Sequence, residues 1–271
     1  MESRINQEVA NKYLIDSVLA NGAYGAVYAG TNIRTNEPVA IKFGLTEYGG
    51  VKREAKLCKH FSGSQGFLAF KWFGVHAGDQ YFVTNLLGID IHSWLLHAQT
   101  PPPINHALSL GKQMFAIMYT LHEQLLVHRD IKPGNFVFSP NTPHTLNIID
   151  LGFCARFADN DGRHTPIACI NDIIGTPNFI STNVHDNITP SRRDDIISCI
   201  YVMLYMIYPH RLWFHIPNID RVSQVKHACR VLDNDMGIDK RFFRMLDYAY
   251  GLEYEAPPDY SALQVMCGDS K

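Results

Sequence analysis

The sequence predicts an α+β chain in which a small antiparallel β-rich portion with one main helix precedes a larger, mainly α-helical portion. Three observations carry this. Residues 13–45 are rich in β-branched and aromatic residues and punctuated by glycine, as strands joined by tight turns are. The stretch GGVKREAKLCKHF sets Val51, Ala55 and Leu57/Cys58 at near-helical spacing among charges. Beyond residue 88 the text turns helical, with HALSLGKQMFAIMYTLHEQ apolar along one face and IISCIYVMLYMIY apolar nearly all round.

Taken in order, LIDSVLANGAYGAVYAG reads as a hairpin, TNEP as a polar turn and VAIKF as a third strand, with the helix after it. QYFVTNLLG reads as a last strand running into a connector, so the small portion closes near Gly88. The expected organisation is a single domain over residues 1–271, divided at about residue 88 into a first portion (1–88) and a second (89–271). The run Pro101-Pro102-Pro103 is a loop inside the second portion, because periodic segments flank it closely.

At 271 residues and 46% hydrophobic composition, the chain can bury a substantial core. A formal net charge of -2 offers no global attraction to nucleic acid or anionic lipid, so neither partner is expected. The six cysteines form no C-x-x-C pair, which points to reduced thiols in a reducing cytoplasmic or nuclear compartment rather than to disulfides or zinc. The polar start, MESRINQEVANKY, lacks a signal peptide's apolar stretch, and Ile196 to Tyr208 is too short for a bilayer crossing of roughly 20 residues. No membrane association is expected, and oligomeric state is not encoded.

Chemistry enters with Ala20-Asn21-Gly22-Ala23-Tyr24-Gly25, where small residues between two strands let backbone N–H groups approach phosphate oxygens. Alone it could be an ordinary hairpin. Lys42, on the strand that follows, carries an ammonium on a long stem able to reach phosphates, and Glu54 on the next helix could hold it in place. Each also has a bland reading, as an edge-strand lysine and a solvated helix charge. The decisive stretch is His128-Arg129-Asp130-Ile131-Lys132-Pro133-Gly134-Asn135. Asp130 is placed to accept a proton from an attacking hydroxyl, Lys132 to neutralise a transferring phosphoryl group, and Asn135 to offer an amide oxygen to Mg²⁺. Further on, the β-branched run before Asp150 delivers a carboxylate to a turn, suited to a hard cation bridging phosphates.

This ordered set resembles the protein kinases, with the two-lobed protein kinase fold. Thr189-Pro190-Ser191-Arg192-Arg193-Asp194-Asp195 narrows the likeness to the casein kinase I family, as do HRDIKPGNFVF, EAPPDYSAL and Ser181-Thr182-Asn183. The likeness runs from about Tyr13 to about Leu263. It implies a Ser/Thr protein kinase using ATP and Mg²⁺, with Mn²⁺ an acceptable substitute, and protein substrates bearing Ser or Thr acceptors. It implies a nucleotide site of Leu19, Ala20, Asn21, Gly22, Ala23, Tyr24, Gly25, Val27, Ala40, Lys42, Thr84, Asn85, Leu87 and Val137. Within it, Asn85 to Leu87 form the hinge holding adenine and Thr84 is the gatekeeper. Catalysis falls to Asp130, Lys132, Lys42 and Glu54, and metal binding to Asn135 and Asp150. Asp195 is expected to anchor the catalytic loop while also serving as a simple helix N-cap.

Four departures qualify the likeness. Ala20 replaces the first loop glycine, and Leu151 replaces the Phe that usually follows the metal-binding Asp. Ala168 and Asn171 stand where the family has an Arg and a Lys that bind a priming phosphate on the substrate. The chain stops soon after Asp259-Tyr260, so a short closing helix and no regulatory tail are expected. Two other readings stand beside the active kinase. One is a pseudokinase, a scaffold that binds partners or nucleotide without turnover; the other is a small-molecule phosphotransferase, against which Lys132 and the Gly175–Phe179 segment speak.

Overall fold

The computed structural model describes residues 4–22, 25–44, 50–98, 100–142, 144–229 and 237–268. It is α+β and divides into two compact units, the first comprising Met1–Ile89, Val137–Pro143 and Asn147–Gly152, the second the remainder.

In the first unit, β1 (Glu8–Val9), β2 (Tyr13–Gly22), β3 (Gly25–Asn32), β4 (Glu37–Gly44), β5 (Phe70–His76) and β6 (Asp79–Asn85) form one antiparallel sheet. The spatial order is β1-β2-β3-β4-β6-β5. Strand period two sorts its residues by face. Ile15, Ala26, Tyr28, Val39, Ile41, Phe43, Tyr81 and Val83 form the buried cluster. On the opposite face, cross-strand register sets Val27 against Lys42 and Ala40 against Thr84. Helix α1 (Gly50–Phe61) packs on β4 and β6, with Glu54, Ala55 and Cys58 buried. Two strands went unforeseen. β1 is only two residues long, and β5 is an edge strand whose Trp72 and Val75 are exposed, so it lacks the alternation that flags a half-buried strand.

The second unit holds α2 (Ile91–His97), α3 (Ile104–His122), α4 (Thr182–His185), α5 (Arg192–Ile207), α6 (Ile219–Cys229), α7 (Lys240–Tyr250) and α8 (Tyr260–Met266). Its centre is α5, buried from Asp194 through Leu204 and packed by α3 and α7. Glycine permits this closeness: a Cβ on Gly111 of α3 would sit 2.0 Å from the Met203 sulfur. Short strands β7 (Leu126–Val127) and β10 (Ala155–Arg156) pair to frame the segment between them. β8 (Phe136–Phe138) and β9 (Leu146–Ile148) form another two-stranded sheet, of which residues 137–138 and 147–148 belong to the first unit. Among the described residues, no helix is long and apolar enough to cross a membrane.

Candidate functional site

In the first unit, the β4 strand aims Lys42 away from the sheet's buried cluster toward α1. Its ammonium lies 2.8 Å from both Glu54 oxygens and 2.9 Å from Asp150 Oδ1. Burial by itself would lower the Lys42 pKa, but Glu54 and Asp150 outweigh it and hold the ammonium above the ordinary lysine range. Burial pushes Glu54 the other way, above the usual carboxylate range, with Lys42 opposing. Asp150 has φ of 62°, a left-handed conformation rare for a residue with a side chain and met often where function fixes the backbone. Leu151, in Phe's usual place, is 3% exposed, so the apolar position it fills is a packed one.

The other expected nucleotide contacts all fall in this unit. Leu19, Ala20, Asn21 and Gly22 are exposed at the end of β2, Val27 lies on β3 and Ala40 on β4. Gly25 has φ of 142° and could bear no side chain, since a Cβ would lie 2.0 Å from the Phe43 carbonyl oxygen. Ala23 and Tyr24 lie outside the described residues. Thr84 is 3% exposed and donates its hydroxyl to the Asn85 carbonyl at 3.2 Å; Asn85 closes β6, with Leu87 just beyond. Val137 is buried in β8.

The second unit carries Asp130, Lys132 and Asn135 on the loop between β7 and β8. Lys132 Nζ is 2.7 Å from Asp130 Oδ2, and the Thr176 hydroxyl donates to Asp130 Oδ1 at 2.7 Å. Asn135 Nδ2 donates to the Asp130 carbonyl at 2.8 Å, a bond that does not use its amide oxygen. Thr176 is held near the loop by its neighbour. Gly175 has φ of 106°, and a Cβ there would come within 2.5 Å of the Arg129 carbonyl oxygen.

Asp195 supports the loop from beneath. Its carboxylate accepts the His128 N–H at 2.6 Å and the Arg129 N–H at 3.0 Å, and meets His122 Nε2 at 3.0 Å. Burial would raise its pKa, but His122, His128 and the Arg129 N–H prevail and keep it below the ordinary range. The N-cap reading of Asp195 is corrected. Ser191 caps α5 in a capping box with Asp194, and Asp195 sits one residue further in, its oxygens turned to the loop. Asp194 also binds Ser181 at 2.5 Å and Asn183 at 3.0 Å. His128 is fully buried, as its apolar flanks suggest.

Sequence reasoning missed three supporting residues. His122 lies on a helical stretch with no neighbouring signal, yet it joins Asp195 to the Tyr260 hydroxyl, 2.5 Å from its Nδ1. Arg129 has φ of 72° and gives its Nε–H to the Phe153 carbonyl at 2.7 Å. Lys226, a charge in an amphipathic helix, gave no sign that it is 1% exposed.

Among the described residues, no three or more His, Cys, Asp or Glu side chains gather into a metal site. Asp150 in the first unit and the Asn135 amide in the second each carry an oxygen of the kind that Mg²⁺ takes as a ligand.

Comparison with models of known protein families matches the protein kinase domain over residues 13–245, most of the chain. With the α+β architecture and the ordered ionic residues, that match identifies the chain as a member of the protein kinase domain family.

Proposed function

We propose that the chain is an active Ser/Thr protein kinase that transfers the γ-phosphoryl group of Mg-ATP to Ser or Thr hydroxyls of proteins. The observation that carries this is the complete set of ionic groups in engaged geometry: Lys42 with Glu54 and Asp150, and Asp130 with Lys132. The 2.8 Å and 2.9 Å contacts on Lys42 and the two donors that orient the Asp130 carboxylate support turnover over a scaffold role.

Each group has a task. Lys42, held straight by Glu54, binds α- and β-phosphate oxygens. Asp150 and Asn135 would each offer an oxygen ligand to Mg²⁺, which would supply positive charge against the phosphates of the nucleotide. Asp130 accepts the proton of the attacking hydroxyl; with Lys132 on one oxygen and Thr176 on the other, its carboxylate keeps a fixed direction and still has lone pairs to receive it. Lys132 balances the charge that spreads over the moving phosphoryl oxygens. Lys132 is also the feature that favours Ser/Thr over Tyr acceptors by family resemblance.

The reading extends to substrate. Residues 165–176 contain no Lys or Arg, and Ala168 and Asn171 are exposed, so a phosphate on the substrate would find no cation there. The chain is therefore a casein kinase I-like enzyme without preference for primed substrates. The test is labelled ATP with Mg²⁺ on casein, basic proteins and small alcohols, followed by phosphoamino-acid analysis and a primed and unprimed peptide pair. Phosphoserine or phosphothreonine on protein is expected, with the two peptides used within about threefold of each other, a difference under 1 kcal/mol. Label on small alcohols alone, or a primed peptide preferred by far more, contradicts it.

A further inference from the structure

Among the described residues, Lys226 of α6 is the most deeply buried Lys or Arg of the second unit. It is 1% exposed, and among the described residues no carboxylate pairs with it. Its ammonium donates instead to two backbone carbonyls, Pro177 and Ile180, each at 2.7 Å, with His185 Nε2 3.4 Å away. The rings of Tyr201 and Trp213 lie 4.9 Å and 5.3 Å from it and add favourable surroundings for the charge. Burial drives its pKa well below the ordinary lysine range, and together with Lys226 it takes His185 down to about 4. A lysine serving only as filler would be better replaced by an apolar side chain, because a buried ammonium without a counter-charge is costly. Its bonds therefore point to a task.

Both carbonyls belong to one short segment. Residues 176–180 start at Thr176, whose hydroxyl is 2.7 Å from the Asp130 carboxylate. The carbonyl between them, that of Asn178, is taken by Trp213 Nε1 at 2.8 Å, and Asn178 Nδ2 returns a bond to the Phe214 carbonyl at 3.1 Å. The Pro177 carbonyl also meets His185 Nε2 at 3.1 Å. Three carbonyls of the segment next to the proposed base are thus fixed from the α6 side.

We infer that Lys226 and Trp213 are positioning residues that hold segment 176–180 in register with Asp130 and so determine how a protein substrate presents its hydroxyl. The inference rests on the proposed kinase function. The segment bears on the substrate because any acceptor hydroxyl must reach Asp130, and Thr176 already lies against that carboxylate. The two residues touch no reacting atom and act through the backbone they hold.

The test compares wild type, Lys226→Met and Trp213→Phe in steady-state kinetics with a peptide substrate and with ATP. Methionine keeps the length of lysine and removes the donors; phenylalanine removes a single N–H and buries no new charge. The expected result is a loss of about 10- to 100-fold in peptide kcat/KM for Lys226→Met and a smaller loss for Trp213→Phe, carried mainly by peptide KM. ATP KM should stay within about twofold of wild type in both. If Lys226→Met does not fold, Trp213→Phe alone decides. Unchanged peptide kinetics in the folded variants, or equal loss of affinity for ATP and peptide, overturns the inference. A wild type that transfers no phosphate overturns the kinase reading instead, so the two failures are distinct.

Discussion

Lys42 shows how one side chain ties stability to chemistry. Glu54 is 4% exposed, and its carboxylate is tolerable there only because an ammonium lies 2.8 Å away. Removing the cation takes the counter-charge away from the buried Glu54 carboxylate, which lies near Asp150. Lys42→Met should therefore cost about 3 kcal/mol of stability as well as activity. Adding Glu54→Gln in the same chain should restore part of that stability, because the uncompensated charge is gone, and should restore no activity. Urea midpoints of the single and double variants check this. A Lys42→Met chain as stable as wild type would show that the pair carries no structural load. Gly175 teaches a related lesson about space: its positive φ and its approach to the Arg129 carbonyl explain why no side chain stands just before Thr176.

Among the elements, α5 has the largest part in shaping the site. Its first turn is closed by Ser191 and Asp194, and its next residue, Asp195, holds the loop that carries Asp130. The helix is apolar nearly all round because it is the centre of its unit, so Asp195 is a charge that the helix carries inward for the loop's sake. Asp195→Ala should strand the His128 and Arg129 N–H groups in a buried place, at a cost of about 3 kcal/mol. Amide exchange at those two positions should quicken far more than in α3, since the loop loses partners of its backbone N–H groups whereas α3 loses only a side-chain bond at its last residue, His122. Equal quickening throughout the second unit would indicate general unfolding instead. Asp195→Asn keeps one acceptor oxygen and should fall between the two.

At the scale of the whole molecule, what the sequence made legible were the features whose chemistry is local. The alternation in β3 and β4, the helical spacing of α1 and the close-set motif from His128 to Asn135 each carry their signal within a few residues. Features that depend on distant partners were not legible. The β5 strand looks like a loop until β6 pairs with it, and His122 and Lys226 look like surface residues until Asp195 and the Pro177 carbonyl are brought beside them. Asp150 is likewise far from Lys42 along the chain, yet residues 147–152 belong to the first unit with it.

The central claim is that these residues transfer phosphate, and it is tested most directly by the rate of γ-phosphoryl transfer from labelled Mg-ATP to protein in wild type and Asp130→Ala, with nucleotide binding measured for both. The account predicts a wild-type rate that falls by about 10²–10⁴-fold in Asp130→Ala, while ATP affinity is kept. Equal rates in the two chains, or a wild type that binds ATP and transfers nothing, would contradict it.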